Sequence, residues 1–263
     1  MEIKIKDTAF SHTDYSTLQK SKYFKWNRCA ENKDVCFFTD HSLVNVLNSQ
    51  DTKKIAWLIE PIAINPNSYD FIKKSEHLFD HILTYDSDLL AKNDKYKFYP
   101  HGGCWLNDDD KKIWNKNKFI SIIASNKKQT LGHLLRHEII TKLKDKIDVY
   151  GNGYNKIDNK IIGLKDYKFS IVVENSKQDD YFTEKIIDTI LTGTVPLYWG
   201  TNNINKYFKN IPTFNTIDEL IMLIDFYSKN EYSIDDIQYN FNEALKYVIP
   251  EDYIFENYKF LFK

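Results

Sequence analysis

Residues 167–200 read YKFSIVVENSKQDDYFTEKIIDTILTGTVPLYWG, and their pattern is strand, polar loop, helix, strand. The run 169–173 is short, apolar and rich in β-branched residues, which suits a buried parallel strand. Glu174, Asn175 and Ser176 end it with groups able to donate and accept hydrogen bonds. An amphipathic helix is expected from Thr183, with Thr183 as its N-cap and Ile186, Ile187, Ile190 and Leu191 on its buried face. Gly193 stops that helix, and 194–199 reads as the next strand. In open parallel sheets ligands sit at the carboxyl ends of strands, and helix N-termini attract phosphates. The loop 174–183 and the start of the helix are therefore the expected place for an anionic ligand.

The same alternation extends outward. Toward the N-terminus, strands are expected at 3–5, 35–38, 55–59, 81–84 and 96–99. Helices are expected between them near 15–20, 42–47, 67–75 and 87–91. Such alternation predicts an α/β sheet with helices on its faces. It ends in the turn Pro100-His101-Gly102-Gly103, followed by a polar segment, 107–118, that reads as a linker. A second alternation then runs through a strand at 119–125, a helix at 131–143, a strand at 147–150 and the stretch 167–200. A short helix near 203–208 and helices at 217–228, 234–248 and 252–262 close the chain. The expected organisation is two Rossmann-like halves, domains 1–108 and 109–263, the second carrying a helical tail.

Composition excludes several function classes. The 263 residues are 42% hydrophobic and 15% aromatic, enough for packed cores and against disorder. The formal net charge of −1 gives no global field that recruits nucleic acid or an anionic membrane. Lysine is abundant and so uninformative, whereas Arg28 and Arg136 are the two arginines. The three cysteines, Cys29, Cys36 and Cys104, are odd in number and lack metal-type spacing, which reads as reduced thiols. No apolar run approaches a membrane span, and residues 1–10 lack a signal-peptide core. A cytoplasmic protein with at most peripheral contact at the inner face of the membrane is expected.

Several constellations could carry chemistry. Ser125 and Asn126 follow the 119–125 strand, and Arg136 lies in the helix after them. A guanidinium there can bind phosphate oxygens bidentately, although a solvated helix-face arginine fits the position equally. His133 and His137 are four apart, but Leu134 stands where the zinc-protease pattern needs Glu, so they read as ordinary surface histidines. Asp108-Asp109-Asp110 sits among lysines with no strand leading into it and reads as solvated linker. Gly151-Asn152-Gly153 lacks the third glycine of a dinucleotide fingerprint. Glu60, in AWLIEPIAI, ends an apolar strand and precedes Pro61, which keeps it out of a helix. A carboxylate so placed can serve as a general base; one simply solvated at a strand end has the same pattern.

Together these segments resemble glycosyltransferase family 10, the α-1,3/α-1,4-fucosyltransferases. The signature ENS…DY.TEK is carried by Glu174, Asn175, Ser176, Tyr181, Thr183, Glu184 and Lys185. VPLYWG at 195–200, AWLIEP around Glu60, FDHILTYDSDL at 79–89, FYPHGG at 98–103, SIIASN with Arg136 downstream, and DVYGNG at 148–153 complete the series in order. The resemblance covers about 54–208. It implies a GT-B architecture, two Rossmann-like domains facing a cleft, and an inverting, metal-independent glycosyl transfer. The donor it implies is a nucleotide sugar, usually GDP-L-fucose, with no further cofactor. By resemblance Glu60 is the base, and Arg136 and Lys185 hold the diphosphate. Glu174, Asn175, Tyr181 and Glu184 contact the donor with Ser125 and Asn126 nearby, and His101 and Gly102 line the acceptor and donor cleft.

The chain departs from animal members in two ways. It is expected to lack their membrane anchor and stem, and its gap from Asn126 to Arg136 is a few residues longer. The implied enzyme is bacterial or viral, with a glycan acceptor, soluble or lipid-linked, as in lipopolysaccharide or capsule. Two other readings stay open: a related transferase using a different nucleotide sugar, and a non-catalytic module that binds nucleotide sugars or glycans. A metal-dependent transferase using the Asp108 cluster is a further alternative.

Overall fold

The computed structural model describes residues 1–7, 13–31 and 33–262. Two compact units are present: Met1–Gly103 with Asp179–Tyr181 and Ile249–Lys263, and Cys104–Gln178 with Phe182–Val248. Each is built on an all-parallel sheet, in agreement with the expected α/β class.

The first unit has six strands: β1 (Glu2–Lys6), β2 (Lys25–Asn27), β3 (Val35–Thr39), β4 (Lys53–Trp57), β5 (His81–Thr84) and β6 (Tyr96–Phe98), ordered β2-β1-β3-β4-β5-β6. All five residues of β3 are buried, because helices and loops cover both faces of a central parallel strand. Successive side chains point to opposite faces. Phe37 therefore joins Trp26, Trp57 and Ile55 on one face, while Phe38 joins Leu43, Ala56 and Ile82 on the other. Helices α1 (Pro66–Ser75) and α2 (Ser87–Leu90) lie where the sequence predicts them. The segment expected as a helix at 42–47 is a 3-10 helix, Asp40–Asn48. The stretch expected as a helix near 15–20 is a series of bends instead; β2 was too short to show any period.

The second unit contains β7 (Lys118–Ile123), β8 (Asp148–Tyr150), β9 (Tyr167–Val173) and β10 (Val195–Trp199), ordered β10-β9-β7-β8. Ile122 pairs with Ile171, and Ile171 with Leu197, so the three central strands are in register through one apolar layer. Its helices are α3 (Leu131–Leu143), α4 (Glu184–Ile190), α5 (Ile217–Tyr227) and α6 (Ile234–Ala244). Each starts behind a hydroxyl that accepts a first-turn N–H: Thr130, Thr183, Thr216 and Ser233. Such caps contribute about 1 kcal/mol apiece.

The last helix, α7 (Pro250–Asn257), corrects the expected domain assignment 109–263. Its Ile254, with Leu261 beyond it, is fully buried among Ile3, Trp26, Phe37 and Trp57 of the first unit. Trp26 Nε1 donates to Glu251 at 2.6 Å, and Ser21 Oγ donates to Asp252 at 2.6 Å. The expected boundary at 108 also shifts, since the second unit begins at Cys104. Of the expected linker, Asp108–Asp110 forms a 3-10 turn and Lys118 already opens β7.

Candidate functional site

In the second sheet β7 lies between β8 and β9. The chain leaving β7 crosses to one side and the chain leaving β9 to the other. Their carboxyl ends therefore flank a topological switch point, where open parallel sheets bind ligands. The loops that meet there are 124–130 and 174–183. Two glycines allow the approach. A Cβ on Gly132, in the first turn of α3, would lie 1.8 Å from the Glu174 carbonyl oxygen. Instead the Gly132 N–H donates to the Asn175 carbonyl at 3.3 Å. Gly151, at φ +113°, follows β8, and a Cβ there would lie 2.0 Å from the Ala124 carbonyl oxygen. The GNG segment is thus a close-packing device beside Ser125 and Asn126, with Asn126 exposed.

Four side chains shape the β9 loop. Arg136 is buried on α3, where its Nε donates to the Val173 carbonyl at 2.9 Å and its Nη2 to Asn175 Oδ1 at 3.0 Å. The fork thus holds the end of β9 and the Asn175 side chain. Glu174 is fully buried and accepts from Thr183 N at 2.9 Å and Thr183 Oγ1 at 2.7 Å. It closes the loop on itself, and the structure gives it no surface that a donor could touch. Thr183 Oγ1 in turn accepts the Lys185 N–H at 3.3 Å.

Lys185, the first lysine of α4, places Nζ 3.0 Å from Thr183 Oγ1 and 3.5 Å from both Glu174 Oε2 and Glu184 Oε1. Glu184 Oε1 also lies 3.4 Å from Lys160 Nζ, which is 2.7 Å from Asp188 Oδ2. Asp188 is buried, and its other oxygen accepts the Trp105 N–H at 2.9 Å. Burial pushes the Asp188 carboxyl up, while the Lys160 ammonium opposes that shift. Alternating charges thus hold Glu184 and Lys185 in place at the helix start.

His133 is buried, contrary to its reading as a surface residue, and its Nδ1 lies 2.8 Å from Thr130 Oγ1. Burial, with the positive charges of Arg136, Lys127 and Lys185, pushes its pKa down to about 4. Three cations acting on one imidazole mark a positive field at this end of α3. His137 bonds to Tyr154 and to the Lys127 carbonyl. Asp108 is exposed and pairs with Lys111. Among the described residues no group of three or more His, Cys, Asp or Glu side chains is arranged to hold a metal ion.

The remaining expected site residues belong to the first unit. Glu60 is half-buried and lies three residues beyond β4, so it sits in the loop and does not end the strand. Its carbonyl accepts from the Tyr69 hydroxyl at 3.1 Å, and Tyr69 shares a 2.9 Å hydrogen bond with the Tyr85 hydroxyl. The Tyr85 ring packs on Tyr181 with centroids 4.9 Å apart, and His101 meets the Tyr181 ring edge-on at 6.3 Å. Tyr181 is fully buried. Its ring is part of the packing of the first unit, although its neighbours in sequence carry the helix cap of the second. Gly102 adopts φ +52°, and its carbonyl lies 3.4 Å from His101 Nδ1.

The structure thus joins Arg136 with Asn175, and Glu174 and Glu184 with Lys185, within one unit, and Glu60, His101, Gly102 and Tyr181 belong to the other. Sequence reasoning missed Lys160 and Asp188 on the Glu184 side, and Asp40 beside Glu60. Asp40 had a signal, since VCFFTD ends an apolar strand in a carboxylate, the same pattern that drew attention to Glu60. Lys160 had none.

Comparison with known proteins converges on one family. The family model described as "Glycosyltransferase family 10 (fucosyltransferase) C-term" matches residues 113–247. The chain is 28% identical over 212 residues to the alpha-(1,3)-fucosyltransferase FucT of Helicobacter pylori, covering 76% of this chain and 39% of that protein. It is 29% identical over 163 residues to the bovine 4-galactosyl-N-acetylglucosaminide 3-alpha-L-fucosyltransferase 9, covering 59% of this chain and 42% of that protein. The chain therefore spans about two fifths of the length of these relatives. Among solved structures, an alpha1,3-fucosyltransferase with GDP-fucose superposes with a TM-score of 0.53 at 21% identity, over 85% of this chain and 79% of that one. TarM superposes with a TM-score of 0.57 at 13% identity, over 87% of this chain and 54% of that one. At those identities the superpositions speak for the fold.

Proposed function

The chain belongs to glycosyltransferase family 10, the fucosyltransferase family, and from that premise we propose that it transfers L-fucose from GDP-fucose to a hydroxyl of a glycan acceptor, with inversion and without a metal. The observation that carries the reading is the β9–α4 corner, where Lys185 stands at the start of a capped helix, 3.5 Å from Glu174, the residue before the Arg136-held Asn175. A diphosphate fits that corner because the ammonium and the positive field felt by His133 both favour an anion. The names of the relatives support fucose as the sugar.

In this reading the Glu60 carboxylate removes the proton of the acceptor hydroxyl as its oxygen attacks the anomeric carbon. The bond from that carbon to the β-phosphate oxygen breaks, and the electron pair leaves with the nucleoside diphosphate. Lys185, with Arg136 acting through Asn175, stabilises the charge that grows on the leaving group. Loss of one such preorganised contact costs roughly 10²–10³ in rate. Glu184, clamped by Lys160, orients the donor, and Glu174 acts only by closing the loop. The acceptor is a surface glycan, soluble or lipid-linked; no helix among the described residues is long and apolar enough to cross a membrane.

A thermal-shift screen against GDP-fucose, other GDP-sugars and UDP-sugars tests the donor, because a ligand of the native state raises Tm by mass action. GDP-fucose is expected to stabilise most. Stabilisation by UDP-sugars alone would overturn the assignment. Transfer to a 4-galactosyl-N-acetylglucosaminide probe, the acceptor in the name of the bovine relative, should be lost in Glu60→Gln while GDP binding persists. Turnover abolished by EDTA and restored by Mn²⁺ would overturn the metal-free mechanism.

A further inference from the structure

One side chain holds the loop that carries Glu60. Strands β3 and β4 are neighbours, with Thr39 opposite Trp57. Asp40 follows β3 directly at φ +39°, a left-handed backbone that residues other than glycine, asparagine and aspartate rarely adopt. Its two oxygens accept consecutive amides of the chain leaving β4: Oδ1 from the Ile59 N–H at 3.0 Å and Oδ2 from the Glu60 N–H at 3.3 Å. On the other side of the same residue, the Glu60 carbonyl is held by Tyr69. Both backbone polar groups of Glu60 are thereby engaged, and they fix where its side chain leaves the loop.

We infer that Asp40 is a positioning residue for the transfer reaction, its ionised carboxylate clamping the Ile59 and Glu60 amides so that the Glu60 carboxylate is presented in one direction. The inference rests on the reading of Glu60 as the base; Asp40 acts through Glu60 and touches no substrate. Misplacement of a reacting group by an ångström costs up to about 10²-fold in rate, so a two-point clamp on the base is a kinetic device. The backbone supports this role. A non-glycine residue in the left-handed region carries a cost that persists only where surrounding contacts over-determine it, and such residues cluster at functional sites.

Protonation modulates the clamp. Burial pushes the Asp40 carboxyl up to about 7; the Ile59 and Glu60 N–H bonds oppose the shift, the Glu60 charge adds to it, and His101 opposes it. The Tyr69 and Tyr85 hydroxyls are the other titratable groups facing Asp40. As pH falls through about 7, Asp40 takes up a proton, becomes a poorer acceptor for two amides and releases the loop.

Two substitutions suit the left-handed backbone and so separate the carboxylate from the fold: Asp40→Asn and Asp40→Gly. With GDP-fucose and the 4-galactosyl-N-acetylglucosaminide probe, each is expected to lower kcat about 10- to 100-fold. The donor KM and the Tm should stay near wild type. The wild-type rate should rise with pH through about 7, and Asp40→Asn should lose that limb, which a merely structural residue would not move. Backbone amide exchange at Ile59 and Glu60, which needs no turnover, should accelerate in both variants. Wild-type kcat in Asp40→Asn beside an inactive Glu60→Gln would overturn the Asp40 role alone, as would unchanged exchange at the two amides. A fully active Glu60→Gln would remove the base on which the inference rests.

Discussion

Arg136 Nη2 donates to Asn175 Oδ1 at 3.0 Å, while its Nε donates to the carbonyl that ends β9. One guanidinium from α3 thus sets the geometry of the first loop residues after the strand. Lysine keeps the charge but lacks the planar fork. Arg136→Lys is therefore expected to weaken GDP binding by about tenfold, or about 1.4 kcal/mol. Titration calorimetry checks this, and an affinity equal to wild type would show that Asn175 does not depend on the fork.

Lys185 is about a quarter exposed and sits between two carboxylates. Lys185→Ala should weaken GDP binding about 10- to 100-fold and shift Tm by far less than that loss implies. The Thr183 N–H and hydroxyl still satisfy Glu174 in the variant. If GDP affinity does not change, the diphosphate is held elsewhere.

His133 supplies a pH dependence. Its folded pKa of about 4 lies below the ordinary 6.5, so between those values the unfolded chain binds the extra proton. Stability linked to His133 is fully present above about pH 6.5 and is lost as pH falls toward 4. Urea unfolding across this window should show that slope, and His133→Gln should flatten it. An equal slope in the variant would assign the acid sensitivity to other groups.

The Lys116 amine is surrounded by acceptors, and burial pushes its pKa down to about 7 against the opposing charge of Asp166. Its Nζ donates to the carbonyls of Thr192 at 2.8 Å and Lys165 at 3.0 Å and to Thr194 Oγ1 at 2.7 Å, with the Leu164 carbonyl at 3.5 Å. It ties the approach to β7 to the turns before β9 and β10. Lys116→Met leaves these acceptors without their shared donor and should destabilise the protein by about 2–3 kcal/mol. Chemical denaturation measures it, and a loss below about 0.5 kcal/mol would mean that water replaces the ammonium at little cost.

By itself the sequence determined the parts that depend on near neighbours in the chain. The α3 range, 131–143, was legible to the residue, a continuous helix-forming run between the two strands. The β9–loop–α4–β10 unit was legible for the same reason, and its signature residues named the family. Only tertiary structure decided what depends on distant partners. Asp40 meets Glu60 across 20 positions and Lys160 meets Asp188 across 28. Asp252 reaches back to Ser21 across 231, carrying α7 to the first unit. Periodicity and capping report how a segment packs locally, whereas these pairs are created when crossover connections bring separate strand ends together. The same limit applied to Arg136 and Glu174: their residue types matched a ligand site, but burial against β9 and Thr183 turned their polar groups inward, onto the loop that the ligand would meet.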